Sequence, residues 1–303
     1  MRSLIIYFAL LMLVTLSAAG QTGTMFEQDV SWSPDGKFIA FCGLHDFDTT
    51  TKTLKADIYV IGADGTGQRM LTTGDRNSYF TSWAKDRIAF GAETAGTKDS
   101  HIYTARPDGS DVRQITTGTG KNSQPSLSHD GRRIAFASNR DAEKYQIYVM
   151  NADGTHVRRL TIDANVGYFN PQFSPSGKQI VFYAEKGDNR DQVWTVDTDG
   201  KNLRLLTANI GHNIFPGWTP DGKQIIFSSS NRDTDASGSI VRGSYVYVMN
   251  TDGTGVKKLG DIRSFYARLS SDGKRIAYIS GGFPNSSIYI ANADGSGAVK
   301  ITK

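Results

Sequence analysis

Three histidines, His45, His101 and His212, lie far apart in the chain, and imidazoles brought in from separate loops can surround a divalent metal. Such a site would support a metal-dependent sugar lyase or another glycan-active enzyme; ordinary surface imidazoles are the plainer explanation. Asp233, Asp235, Ser237 and Gly238 match the start of a calcium loop, where oxygens at alternate residues precede a glycine. Position twelve of that template is Ser244, so the bidentate glutamate is missing, and a solvated insertion accounts for the same residues. Gly118-Thr119-Gly120-Lys121-Asn122-Ser123 copies the end of a phosphate loop but has Asn122 where a hydroxyl must meet magnesium. The sequence holds no G-x-S-x-G elbow and no H-E-x-x-H pair. A non-catalytic binding role, with no cofactor, is the expectation.

These residues must be positioned by a repeat. Ser33-Pro34-Asp35-Gly36 returns as Ser128–Gly131, Ser174–Gly177, Thr219–Gly222 and Ser270–Gly273, with a degenerate copy at Ala84–Asp86. A second Asp-Gly turn follows at Asp64, Asp108, Asp153, Asp199, Asp252 and Asp294, at spacings of 44, 45, 46, 53 and 42 residues. A steady period of this kind marks one supersecondary unit duplicated and stacked. Within each unit, β-branched and aromatic runs such as Ile39–Phe41, Ile58–Val60 and Leu160–Thr161 are bounded by Gly, Pro, Asp and Asn. Four short strands per unit predict an all-β, six-bladed β-propeller of four-stranded antiparallel blades. The blades fall near residues 26–73, 74–117, 118–162, 163–208, 209–260 and 261–303, with no strand left over to be exchanged across the closing seam.

Ser31–Lys37 (SWSPDGK) and Ile147–Gly154 (IYVMNADG) are similar to the repeats of the TolB-like propeller family, named for a periplasmic protein of the Tol–Pal envelope system. The resemblance runs from Phe26 onward, without the α/β domain that precedes the propeller in TolB. It implies the six-bladed fold and an envelope setting.

Residues 1–20 have the form of a secretory signal: Arg2 flanks the apolar run Leu4–Leu16, and Ser17-Ala18-Ala19 supplies small residues for cleavage. The run is short for a ~30 Å hydrocarbon core, so a retained membrane span is not expected. A periplasmic or secreted, monomeric protein follows. Its one cysteine, Cys42, cannot form an internal disulfide, so the closed ring of sheets must supply the stability. The net charge of +4 is scattered along the chain, which argues against nucleic acid as a partner.

Both Asp-Gly turns of a blade fall on one face, taken as the bottom, and they are nearly uniform. The top receives the loops between strands two and three, whose span varies from 10 residues in blade six to 19 in blade five. Variable loops on a rigid scaffold are where binding concentrates. Stretches read as blade crossings, such as Asn77–Trp83, Gly167–Phe173 and His212–Trp218, also reach the top. Three positions before the Trp-like residue stand Asp29, Phe80, Gln124, Asn170, Phe215 and Tyr266, one per blade, which places them around the mouth of the channel. With His212 beside them and Tyr79, Tyr168, Phe265 and Tyr266 as aromatic anchors, this mouth would take an envelope protein, a peptide or a glycan. The competing reading has the same side chains wedging neighbouring blades and meeting no ligand.

Overall fold

The computed structural model describes residues 25–48, 53–94, 96–185, 190–207, 211–230, 243–281 and 286–302. Among them are six four-stranded antiparallel sheets, each built from four consecutive strands. Blade one is β1 (Phe26–Trp32), β2 (Phe38–Asp48), β3 (Thr53–Gly62) and β4 (Arg69–Met70). Blade two is β5 (Ser78–Ala84), β6 (Arg87–Glu93), β7 (Ser100–Ala105) and β8 (Arg113–Gln114). Blade three is β9 (Asn122–Leu127), β10 (Arg133–Ser138), β11 (Gln146–Asn151) and β12 (Arg158–Arg159). Blade four is β13 (Gly167–Phe173), β14 (Gln179–Glu185), β15 (Gln192–Asp197) and β16 (Arg204–Leu205). Blade five is β17 (His212–Trp218), β18 (Gln224–Ser230), β19 (Ser244–Asn250) and β20 (Lys257–Arg263). Blade six is β21 (Ala267–Leu269), β22 (Arg275–Ser280), β23 (Ser287–Asn292) and β24 (Val299–Lys300). The fold is the six-bladed propeller that the repeats predict.

The second strand of each blade is covered on both faces, which is why it reads as a continuous apolar run. Its side chains divide by size. In β10, Ile134 and Phe136 face blade two, where Ala84 and Ala89 make room, while Ala135 and Ala137 face Ile180 and Phe182 of blade four. In the same way Ile88 and Phe90 of blade two pack on Ala40 and Cys42 of blade one. The closing seam repeats this arrangement, with Ile39 and Phe41 of blade one against Ala277 and Ile279 of blade six. Blades one to three are wedges with large side chains on one face and small ones on the other, whereas blade six presents Ile279 beside Ala277 at the seam. Among the described residues each sheet uses only its own four strands.

The turns owe their shape to local hydrogen bonds. Ser33 Oγ donates to Asp35 at 2.6 Å, and Ser128–Asp130, Thr219–Asp221 and Ser270–Asp272 copy it at 2.6, 2.7 and 2.6 Å. These bonds hold the four carboxyls below the usual range. The following glycine takes a positive φ, 67° at Gly36 and 70° at Gly131, as an Asp-Gly hairpin requires. The threonine of each Leu-Thr run caps strand three: Thr161 Oγ1 accepts the Ile147 N–H at 2.9 Å, and Thr302 accepts the Ile288 N–H at 3.0 Å. Blade five departs from this pattern. It has Gly260 in that region, and β20 runs seven residues where the other outer strands have two.

Candidate functional site

The stretches read as crossings are the innermost strands themselves, β5, β9, β13 and β17. Their polarity is that of a channel wall whose side chains bond to the neighbouring blade. Each of these strands, and β1, breaks register once against its neighbour, and the ring positions sit at these breaks. Phe80, Gln124, Asn170 and Phe215 have φ of 55°, 54°, 52° and 51°, unusual values for residues with bulky side chains. A bulge re-aims its side chain, and it does so in five of the six blades; β21 of blade six pairs without a break.

The inner strands are tied to one another around the ring. Ser31, Ser82 and Ser126 Oγ accept the backbone N–H of Trp83, Leu127 and Phe173 in the next blade, at 2.8, 2.9 and 3.2 Å. Between blades four and five, Trp218 Nε1 donates to the Gln172 carbonyl at 3.0 Å, and Trp32 Nε1 does so to Arg268 across the seam at 2.9 Å. Asp29 is fully buried and accepts the N–H groups of Cys42 and Thr81. Burial nevertheless pushes its pKa up, since two neutral donors do not replace the lost hydration. Gln124 Oε1 accepts the Asn170 N–H at 2.9 Å.

Arg268, which sequence reasoning passed over, joins three blades. It donates to the Phe215 carbonyl at 3.0 Å, to Asn170 Oδ1 at 3.1 Å and to the Tyr266 hydroxyl at 3.0 Å, with its guanidinium 4.2 Å over the Tyr266 ring. Gly217 makes the room, because a Cβ there would lie 3.3 Å from Arg268 Nη1. The signal was available: one position before the Trp-like residue, the other blades carry Ser, Gln or Gly. An aromatic arc continues from this guanidinium, with ring centroids 5.2 Å apart for Phe215–Tyr266, 6.4 Å for Phe215–Phe265 and 5.6 Å for Phe215–Tyr183.

The expected mouth residues therefore divide. Tyr79, Tyr168, Tyr266, Gln124 and Asn170 are buried among blades, while Phe80, His212, Phe215 and Phe265 are half-buried. Of the four expected aromatic anchors, Phe265 alone keeps an accessible ring. Burial raises the hydroxyl pKa of Tyr79 and Tyr266.

The histidines do not converge. His45 Nε2 lies 3.0 Å from Asp57 and its Nδ1 3.2 Å from Asp46, His101 is buried against Thr116, and His212 lies 3.5 Å from Asp191. Burial lowers the pKa of both His101 and His212. Among the described residues no three His, Cys, Asp or Glu side chains are grouped to hold a metal. Asp233, Asp235 and Ser237, and residues 1–20, lie outside the described residues.

With this geometry in hand, the comparisons with known proteins fall into place. The model of the TolB beta propeller domain matches residues 31–230 and 164–303. The chain belongs to the TolB beta-propeller family. An uncharacterized protein of Agrobacterium fabrum is 32% identical over 148 residues, 48% of this chain and 47% of its own length. The match thus spans about half of that relative. The crystal structure of TolB from Acinetobacter baumannii superposes with a TM-score of 0.64 at 19% identity, covering 96% of this chain and 66% of that one. Oligogalacturonate lyase from Vibrio parahaemolyticus shares the fold, with a TM-score of 0.59, 14% identity and coverage of 93% and 80%.

Proposed function

We propose that this TolB-like propeller is an exported, monomeric, non-catalytic binding module that holds an envelope protein, peptide or glycan at its top mouth. One observation carries the reading. The polar side chains of the inner strands are bonded within the ring, and the expected mouth residues left half-buried are Phe80, His212, Phe215 and Phe265, with Phe215 and Phe265 beside the Tyr266 ring that the Arg268 guanidinium covers. Rigid aromatic rings beside a held cation make a recognition surface, because little side-chain entropy remains to be lost on binding.

Cross-linked capture from envelope extract tests the reading. The double variant Phe215→Ala, Phe265→Ala is expected to lose the captured partner about tenfold or more while still folding cooperatively at a lowered Tm. Undiminished capture by that variant sinks it. The metal-dependent sugar lyase is the competing role, and release of unsaturated product from oligogalacturonate with manganese present would establish it instead.

A further inference from the structure

At the joint between blades one and two, two elements of the repeat are missing together. The first turn of blade two is two residues shorter than that of blade one, Trp83 to Ile88 against Trp32 to Ile39, and it lacks Ser, Pro and Gly. It closes as a tight hairpin in which Ala84 pairs with Arg87 and Lys85 takes a φ of 50°. At two other joints, the arginine that opens strand two reaches the glycine carbonyl of the next blade's first turn and covers its inner ring. Arg133 Nη2 donates to Gly177 at 2.6 Å, with its guanidinium 5.1 Å over Phe173. Arg275 Nη2 donates to Gly36 at 2.6 Å, with its guanidinium 4.8 Å over Trp32.

Blade two offers no such carbonyl, and blade one has Phe38 in the arginine's place. Phe38 stacks on Trp83 with centroids 6.4 Å apart and remains 43% exposed. Trp83 Nε1, whose counterparts on Trp32 and Trp218 donate to the preceding blade, has no hydrogen-bond partner. The result is a bottom-face groove of about 310 Å³ walled by Pro34, Phe38, Trp83 and Pro107, with Arg69 and Lys85 supplying positive charge. Asp35 on its rim accepts the Ser33 hydroxyl and the Lys37 N–H through one oxygen, Oδ1. Arg69 gives one N–H to the Pro107 carbonyl and keeps the rest of its fork, while the Lys85 ammonium makes no bond to any described residue.

We propose that this groove is a second docking site, separate from the top mouth, for an extended peptide of a protein partner that carries an apolar side chain beside a carboxylate. Two prolines and two aromatic rings are apolar walls of fixed shape, and the volume, at the low end for ligand sites, suits one or two side chains. The Lys85 ammonium and the remaining guanidinium N–H groups of Arg69 outnumber the single carboxylate of the groove, Asp35, and so favour a carboxylate on the peptide. A bare anion would leave the walls uncovered, and a neutral sugar would leave the two cations unmatched.

The test is titration of the ¹⁵N-labelled protein with acetyl-Ala-Pro-Leu-Asp-amide, following the Trp83 indole N–H signal assigned with Trp83→Phe. A saturable shift is expected, weakened about threefold or more by the Asn counterpart of the peptide and by Lys85→Gln, and unchanged in Phe215→Ala, Phe265→Ala. Absence of a saturable shift up to about 5 mM peptide overturns the proposal. So do equal affinities for the Asp and Asn peptides, or a shift reproduced by acetate or a neutral oligosaccharide. The turn graft Ser-Pro-Asp-Gly-Lys in place of Ala84-Lys85-Asp86, combined with Phe38→Arg, fills the groove; peptide binding that survives it also rejects the site.

Discussion

The seam between blades six and one and the joint between blades one and two are built alike inside and differently outside. In both, large side chains of one blade enter the small face of its neighbour: Ile39 and Phe41 against Ala277, and Ile88 and Phe90 against Ala40. At the bottom they part. The seam is stapled by Arg275 and by the Ser271 hydroxyl on the Pro34 carbonyl at 2.8 Å, whereas the other joint leaves Phe38 and Trp83 facing an open groove. The interior packing sets the ring, and the rim is where joints differ: Arg87, at the staple's position in blade two, turns to Asp111 of its own blade, and blades four and five carry Gln179 and Gln224 there. A place where sequence breaks its own repeat without weakening the core is a place to look for a partner.

The sharpest way to break the comparison is to empty one core position on each side. Phe41→Ala and Phe90→Ala each remove a ring buried to 97% or more and should each cost about 3–5 kcal/mol in urea unfolding. If Phe41→Ala costs less than half as much as Phe90→Ala, the seam is a weaker joint and the equivalence fails. Next in size come the rims. Arg275→Ala should cost about 1–2 kcal/mol through its lost carbonyl bond and ring contact. Phe38→Ala should cost less, since its ring is already half in water. The turn graft with Phe38→Arg should raise Tm by building a staple at the groove, and an unchanged Tm would mean the staples hold little.

The smallest expected effect is in pH. Asp35 and Asp272, on either side of the seam, have carboxyls held below the usual range by Ser33 and Ser270. Their contribution is present above the unfolded pKa and lost as pH falls through the folded one, so acid should loosen the bottom of the seam. Glu27, which meets Ser286 at the top of the seam, is shifted the other way by burial. Its contribution is full below the unfolded pKa and lost as pH rises through the raised one. Glu27→Gln should therefore gain on the wild type as pH rises above about 4.5, read from urea midpoints between pH 3 and 7. A difference that does not vary with pH contradicts the buried-carboxylate account.

The architecture was legible because its signals are local. An Asp-Gly turn needs one glycine, a Leu-Thr run needs one hydroxyl to cap strand three, and Ile-Ala-Phe carries its two faces in three residues. The mouth was legible only in part. Asn77–Trp83 and its counterparts read as crossings because polar residues in a strand signal solvent, whereas here they meet the next blade. Positive φ at Phe80 and Phe215 comes from a bulge that no propensity announces. The groove was visible as a degenerate turn at Ala84–Asp86, but its meaning depends on what Arg133 and Arg275 do at other joints.

The continuous apolar packing across the seam has an engineering consequence. The Ser286 hydroxyl donates to Glu27 at 2.9 Å, so the first strand of blade one lies beside the start of the third strand of blade six. Nothing in the core then distinguishes the peptide break there from a break at any other blade. A circular permutant with the ends tied by a short linker and reopened between blades three and four should close into the same ring, which would let either face be fused to a chosen cargo without crossing the channel.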